Sequence, residues 1–322
     1  MIKSSSAFFE SLIFFLLLAL SLYLSISGIY GKTVIEGISL WLSLVVPSLF
    51  PYLFITAILS SLSTTQKISN RLSPIFIRTF NVGGGSGYAF LLSVISGYPI
   101  GAKSVSDLKI AGVINEDESI RASCLCSTSS PTFLIGSVGA ITFNDRTFGI
   151  LLFLAHIISA ILNGILFSFY KRKSKPNVKS HSFSTRATNV LYDSAYSAVI
   201  SLLVVGSLIT IFYLLTEVLF NLKIISPIVD LLTVLLNSES LAKGITFGFF
   251  ECTRGIKELS SLPQKVALPF CAFISGFGGI SVIAQSLAFL KRAKIKTAPF
   301  LFSKVTAAVI SLMLGFIFSF LL

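Results

Sequence analysis

The sequence predicts an all-α fold: a polytopic membrane helix bundle with two pseudo-repeats and broken or re-entrant helices. Three observations predict it. Of the 322 residues, 54% are hydrophobic and only 12% charged, whereas a soluble domain carries about 25% charged residues. Apolar segments recur along the chain at 11–30, 36–62, 86–101, 122–141, 147–170, 193–220, 224–237, 241–256, 265–290 and 298–322, several of them near the roughly 20 residues of a spanning helix. Two of these segments are interrupted by Ser-Gly-aromatic sequences, Ser96-Gly97-Tyr98-Pro99 and Ser275-Gly276-Phe277-Gly278. Interrupted helices in the two halves of a membrane protein point to a binding site between them. The net charge of +12 follows from basic loops between apolar segments and predicts a lipid bilayer, not nucleic acid, as the large partner.

The chain opens with a segment from Leu12 to Ile29 that lacks a small-x-small cleavage site and reads as a first transmembrane helix. Residues 64–80 alternate Lys67, Arg71 and Arg78 with Ile68, Leu72, Ile75 and Ile77, the pattern of a helix lying at an interface. Gly83 to Gly87 reads as a flexible entry to the first interruption. There, Pro99 removes a backbone donor and disfavours helix at Tyr98. A helix restarting at Ile100 turns its free amides and positive dipole end into the break. With Ser96, Gly97, Tyr98, Pro99, Gly101 and Lys103 this forms a candidate anion pocket. The competing reading takes Gly97-x-x-x-Gly101 as a packing motif with Lys103 snorkelling to the surface. Asp107, Glu116, Asp117 and Glu118 make residues 104–121 an expected exposed helix and loop.

Ser127-Thr128-Ser129-Ser130-Pro131-Thr132 places a run of hydroxyls at a helix start. Ser129 and Ser130 either cap helix amides or contact a ligand, and the two readings stand level. His156 lies in an apolar helix and reads as a hydrogen-bonded core residue. The basic stretch 171–190, with Lys171, Arg172, Lys173, Lys179, His181 and Arg186, divides the chain into membrane halves 1–170 and 191–322. A second basic loop, Lys291 to Lys296, is expected on the same side. An even number of crossings must then separate the two loops, as four full helices plus paired half-helices would provide.

In the second half, Glu251, Thr253 and Arg254 put an acid and a guanidinium on one helix face. Arg254 could receive a carboxylate while Glu251 binds a proton or cation, or the two could pair with each other. The second interruption holds Ser275, Gly276, Phe277, Gly278, Gly279, Ser281 and Gln285; each glycine is about 1 kcal/mol poorer than alanine in a helix. Cys124, Cys126, Cys252 and Cys271 form no CxxC pair, and with two histidines no metal site and no cofactor is expected. No nucleophile triad or paired catalytic carboxylates appear, so no enzymatic activity is expected. The residues alone stop at a transporter of an anion, leave a homo-oligomer open, and leave a non-transporting membrane scaffold as the other class.

Pro47-Ser48-Leu49-Phe50-Pro51, Ser96 to Lys103, Gly248-Phe249-Phe250-Glu251 with Thr253, and Gly276 to Val282 with Ala284-Gln285 together resemble the YlbJ (SpoVV) family of sporulation integral membrane proteins. The chain departs from the family pattern at Ser127 to Pro131 and at Ile283. The resemblance implies a nucleoside-recognition Gate domain distantly similar to concentrative nucleoside transporters. It also implies movement of dipicolinic acid across the outer forespore membrane from the mother cell. Dipicolinate is a planar aromatic dianion. Lys103, Arg254 and helix amides would hold its carboxylates, and Tyr98 and Phe277 its ring. A nucleoside or other small metabolite is the alternative cargo.

Overall fold

The computed structural model of the chain describes residues 2–62, 64–176 and 189–322, and every regular element within them is helical. Lys179, His181 and Arg186 of the basic stretch lie outside the described residues. Helix α1 (Ile2–Ser27) has described side chains from Phe14 onward. Among the described residues, five helical stretches are long and apolar enough to cross a membrane: Gly31–Leu59, Arg146–Ser168, Val190–Asn221, Gln264–Arg292 and Ala298–Ser319. This is an all-α polytopic bundle.

The first long stretch runs through α2 (Gly31–Leu40), a π-helical turn at Trp41–Val45 and α3 (Val46–Ser61). Pro47 and Pro51 supply no amide to the helix ladder. The widened turn before them presents Trp41 to a glycine: a Cβ at Gly206 would lie 2.7 Å from its indole nitrogen. Helix α4 (Thr64–Phe80) buries Ser69, Phe76 and Phe80.

Next come α5 (Gly84–Ser96) and α6 (Ile100–Ile110), folded back on one another. A Cβ on Gly85 would meet Leu108 at 3.4 Å, and one on Gly101 would meet Ser93 Oγ at 2.6 Å. The glycines are therefore what lets the two arms touch. Helix α7 (Glu116–Leu125) leads through an irregular stretch into a π-helix at Thr132–Thr142, and then to α8 (Arg146–Ser168).

The second half repeats this order. Its long helix α9 (Val190–Asn221) precedes the short apolar α10 (Ser226–Leu236). A second hairpin follows, α11 (Glu239–Phe250) against α12 (Cys252–Leu259), in which a Cβ on Gly255 would lie 2.6 Å from the Gly248 nitrogen. An interrupted span, α13 (Gln264–Phe277) and α14 (Gly279–Arg292), leads to the long α15 (Ala298–Ser319).

The element order pairs the hairpin tip at Gly97–Pro99 with the tip at Glu251, and the irregular stretch 126–131 with Gly278. It does not pair 96–103 with 275–281, as the shared Ser-Gly-aromatic sequence suggests; one lies on a hairpin and the other on a span. Between the two basic stretches the described residues hold two helices of spanning length and one hairpin.

Two further expectations change. Residues 104–121 are not simply exposed, because Glu118 and Arg121 are fully buried. The glycine run after Gly83 is no flexible entry but the first turn of α5: Gly83 N and Ser86 Oγ donate to Glu118 Oε1 at 2.7 and 3.1 Å. A carboxylate at a helix N-terminus satisfies free amides and complements the dipole. Arg121 donates to the Asn81, Tyr170, Lys171 and Ser174 carbonyls at 2.9–3.3 Å, tying the ends of α4 and α8 to α7. Beside it, the Lys171 ammonium, 2.7 Å away, holds the Asp117 carboxyl below its usual range. Arg121→Met should leave these carbonyls without donors and destabilise the protein by about 3 kcal/mol or more. Thermal unfolding in detergent would show this as a lower midpoint, and an unchanged midpoint would refute it.

Candidate functional site

All four interruptions meet at one place. Gly97, at the tip of the first hairpin, has φ +77° and approaches the irregular stretch so closely that a Cβ would lie 3.0 Å from the Ser130 amide nitrogen. Gly279, with φ +74°, is similarly close to the second tip, where a Cβ would lie 3.1 Å from the Cys252 nitrogen. The Tyr98 hydroxyl donates to the Ser275 carbonyl at 3.0 Å, joining the first hairpin to the second interrupted span. Gly97→Ala would meet both a conformation reserved for glycine, at about 1–3 kcal/mol, and the Ser130 backbone. Its thermal midpoint should fall below that of an alanine substitution at Gly136, where a Cβ meets nothing within 4 Å.

The interruptions enclose a cavity with about 440 Å³ of empty space, of which about 40 Å³ admits the centre of a water molecule. Gly97, Tyr98, Ser129, Ser130, Glu251, Thr253 and Gln285 supply its polar wall, and Val45, Leu49, Phe133, Val205, Ile209 and Val282 most of its apolar wall. Val45 is the last residue of the π-helical turn, so that turn sets part of the wall.

Glu251 is almost fully buried. Its Oε2 accepts from the Arg254 amide at 2.7 Å and its Oε1 from the Thr253 hydroxyl at 3.2 Å. The carboxylate caps α12 and faces the cavity at once. Gln285 Nε2 is 3.4 Å from Ser281 Oγ, which keeps Ser281 in the layer behind the wall. Ser93 Oγ and Thr128 Oγ1 bond at 2.8 Å, and the Ser129 amide donates to His156 Nε2 at 2.8 Å. The hydroxyl run thus divides, with Thr128 holding the hairpin while Ser129 and Ser130 line the cavity.

Other expected site residues lie elsewhere. Lys103 does not line the cavity; its side chain is 36% accessible and pairs with Asp107 at 3.3 Å, one turn along α6. Arg254 pairs with Glu217, not with the Glu251 carboxylate, and donates to the Tyr213 carbonyl at 2.8 Å. Its guanidinium lies between the Tyr213 and Phe247 rings, 4.4 and 4.3 Å from their centroids. Phe277 stacks on Phe249 at 5.2 Å instead of facing the cavity. Ser96 bonds Thr56, Pro99 caps α6, and Gly101 packs on the Cys126 carbonyl. Gly276 packs on Ala307 and Ser311, Gly278 supplies the turn between α13 and α14, and Ser275 contributes its carbonyl to Tyr98.

The residue that sequence reasoning missed is Lys304 on α15. It is 1% exposed, its ammonium lies 5.3 Å from the Tyr98 ring centroid, and it donates to Ser127 Oγ at 3.1 Å. A lysine inside the last apolar segment is itself the signal, since ionisable residues within membrane helices are rare and mark sites. Among the described residues no group of three or more His, Cys, Asp and Glu side chains could hold a metal ion.

No family model and no solved structure matches the chain. It is 28% identical over 301 residues to the sporulation integral membrane protein YlbJ of Bacillus subtilis (strain 168), a match covering 85% of this chain and 73% of the relative. The chain is thus similar to this sporulation membrane protein along most of its length. The five spanning helices and this likeness make it an integral membrane protein, and its four interruptions meet around the cavity described above.

Proposed function

We propose that the protein is a transporter of a small organic anion, dipicolinate in first place, acting in the outer forespore membrane from the mother cell. The observation that carries this reading is the convergence of two hairpin tips and two unwound spans on one cavity that mixes polar and apolar walls. Irregular backbone at membrane depth is tolerated where it lines a cavity, and such breaks place binding groups at a transporter's midplane. The ring faces of Tyr98 and Phe133 suit a planar aromatic solute. The Ser129, Ser130 and Thr253 hydroxyls and the Gln285 amide suit its oxygens, and Lys304 behind Tyr98 supplies positive potential. The space open to water is smaller than such a solute, so loading it requires the cavity walls to move apart. The reading assigns the protein no chemical step.

One observation favours the alternative cargo. Glu251 lines the cavity, and an ionised carboxylate there repels a dianion while accepting donors from a neutral nucleoside. Proteoliposomes holding the purified protein separate the two. Radiolabelled dipicolinate should accumulate at several times the rate of empty liposomes, with unlabelled dipicolinate but not uridine competing. Uptake of uridine alone would assign the cavity to the nucleoside, and uptake of neither would overturn the transport reading.

A further inference from the structure

A second chamber, with about 270 Å³ of empty space, shares Lys304 with the surroundings of Tyr98. Ser127, His156, Ser159, Asn163, Ser303 and Lys304 supply its polar lining, and no carboxylate lines it. Most of these groups are already matched. Asn163 donates to the Ser303 carbonyl and accepts from Thr306; Ser159 donates to the Ala307 carbonyl and Ser303 to the Phe300 carbonyl.

What remains unmatched is of one kind. Ser129 N donates to His156 Nε2, so that nitrogen is the acceptor and the neutral ring carries its proton on Nδ1. His156 is 2% exposed and its Nδ1 has no hydrogen-bond partner among the described residues. The Lys304 ammonium has three N–H groups and spends one on Ser127 Oγ, which leaves the Ser127 proton free to donate. The chamber therefore gathers surplus donors and a buried cation whose neighbours are the Ser127 hydroxyl and the Tyr98 ring, with no carboxylate to balance it.

We propose that this chamber, between α8, α15 and the irregular stretch before the π-helix, binds a small anion through Lys304, His156 Nδ1–H and Ser127. A buried charge needs a partner, and the donors present match a halide or a single carboxylate group. About 10 Å³ of the chamber admits the centre of a water molecule, which is one such sphere. The anion is either a free ion such as chloride or one carboxylate of the carried molecule. As a free-ion site it is independent of what the larger cavity carries; as a carboxylate subsite it rests on the transport reading.

The test uses the full chain purified in detergent in sodium gluconate, titrated with sodium chloride, sodium formate or dipicolinate while thermal unfolding is followed. Wild-type protein should show a saturable rise of about 3 °C or more in Tm at saturating anion, and Lys304→Met should lose that rise. A response to chloride and formate identifies a free-ion site, whereas a response to dipicolinate alone identifies a carboxylate subsite. No response to any anion, or an equal rise in Lys304→Met, overturns the proposal. Should the variant not fold, chloride-35 line broadening by the wild-type protein, displaced by formate or by dipicolinate, supports the site in its place; absence of broadening together with no dipicolinate-induced rise in Tm refutes it. Loss of this site with dipicolinate uptake retained would leave the transport reading standing.

Discussion

Arg254→Met is expected to reduce the folded protein recovered from membranes severalfold and to lower its thermal midpoint, an effect of roughly 3–5 kcal/mol. Its guanidinium is 6% exposed, holds the Glu217 carboxylate and the Tyr213 carbonyl, and is sandwiched by two aromatic rings. Removing it leaves a carboxylate that is 28% exposed without its partner. Pairing the change with Glu217→Leu should restore part of the loss, because replacing both members of a buried pair costs far less than removing one. A stable Arg254→Met protein that fails only in transport would instead return Arg254 to the substrate site.

Lys304→Met should behave in the opposite way. No carboxylate pairs with Lys304 among the described residues, so a methionine of similar length strands no partner charge, and stability should stay within about 1 kcal/mol. Dipicolinate uptake should nonetheless fall roughly tenfold, about 1.4 kcal/mol, since the buried ammonium behind the Tyr98 ring supplies positive potential to the cavity. Lys103→Ala, at the surface with Asp107, should leave uptake unchanged within about twofold. Proteoliposome uptake measured on the three proteins side by side decides it; equal loss in both lysine variants, or in neither, contradicts the assignment.

The contrast between these cationic residues shows what was legible in the sequence. Pro99 and the glycines at 97, 278 and 279 announce where helices stop, because proline's missing donor and glycine's freedom at positive φ act within a few residues of themselves. Tyr98 and Gln285 were reachable for the same reason, being polar residues at or near those stops, whereas Ser129 and Ser130 stood out as hydroxyls at a helix start and Glu251 as an acid in an apolar segment. Lys103 drew attention because it sits beside a break and Arg254 because it shares an apolar segment with Glu251, but position in sequence does not say which way a side chain leaves its helix. Lys103 leaves α6 toward Asp107, and Arg254 leaves α12 toward Glu217 on α9.

Lys304 lies far from either break in sequence and next to both in space. Its approach to Tyr98 and Ser127 requires α15 to pack beside α8 and against α13, the latter contact made close by Gly276 and Gly315. The same holds for Glu118 and Arg121. Their charges suggest a solvated helix, and only the tertiary structure supplies the buried amides and carbonyls that accept them.

By itself the sequence determined that this is a membrane-embedded helical protein and that its helices break near Gly97–Pro99 and Gly278–Gly279, since hydropathy and backbone stereochemistry are local properties. The tertiary structure alone decided that two of the breaks are hairpin tips and two are unwound spans, that all four meet around one cavity, and that Lys304 is the cation beside them. The reason is physical: a side chain's partners are set by which helices cross it, and that depends on contacts between residues more than a hundred positions apart, as the Tyr98–Ser275 and Ser127–Lys304 hydrogen bonds are.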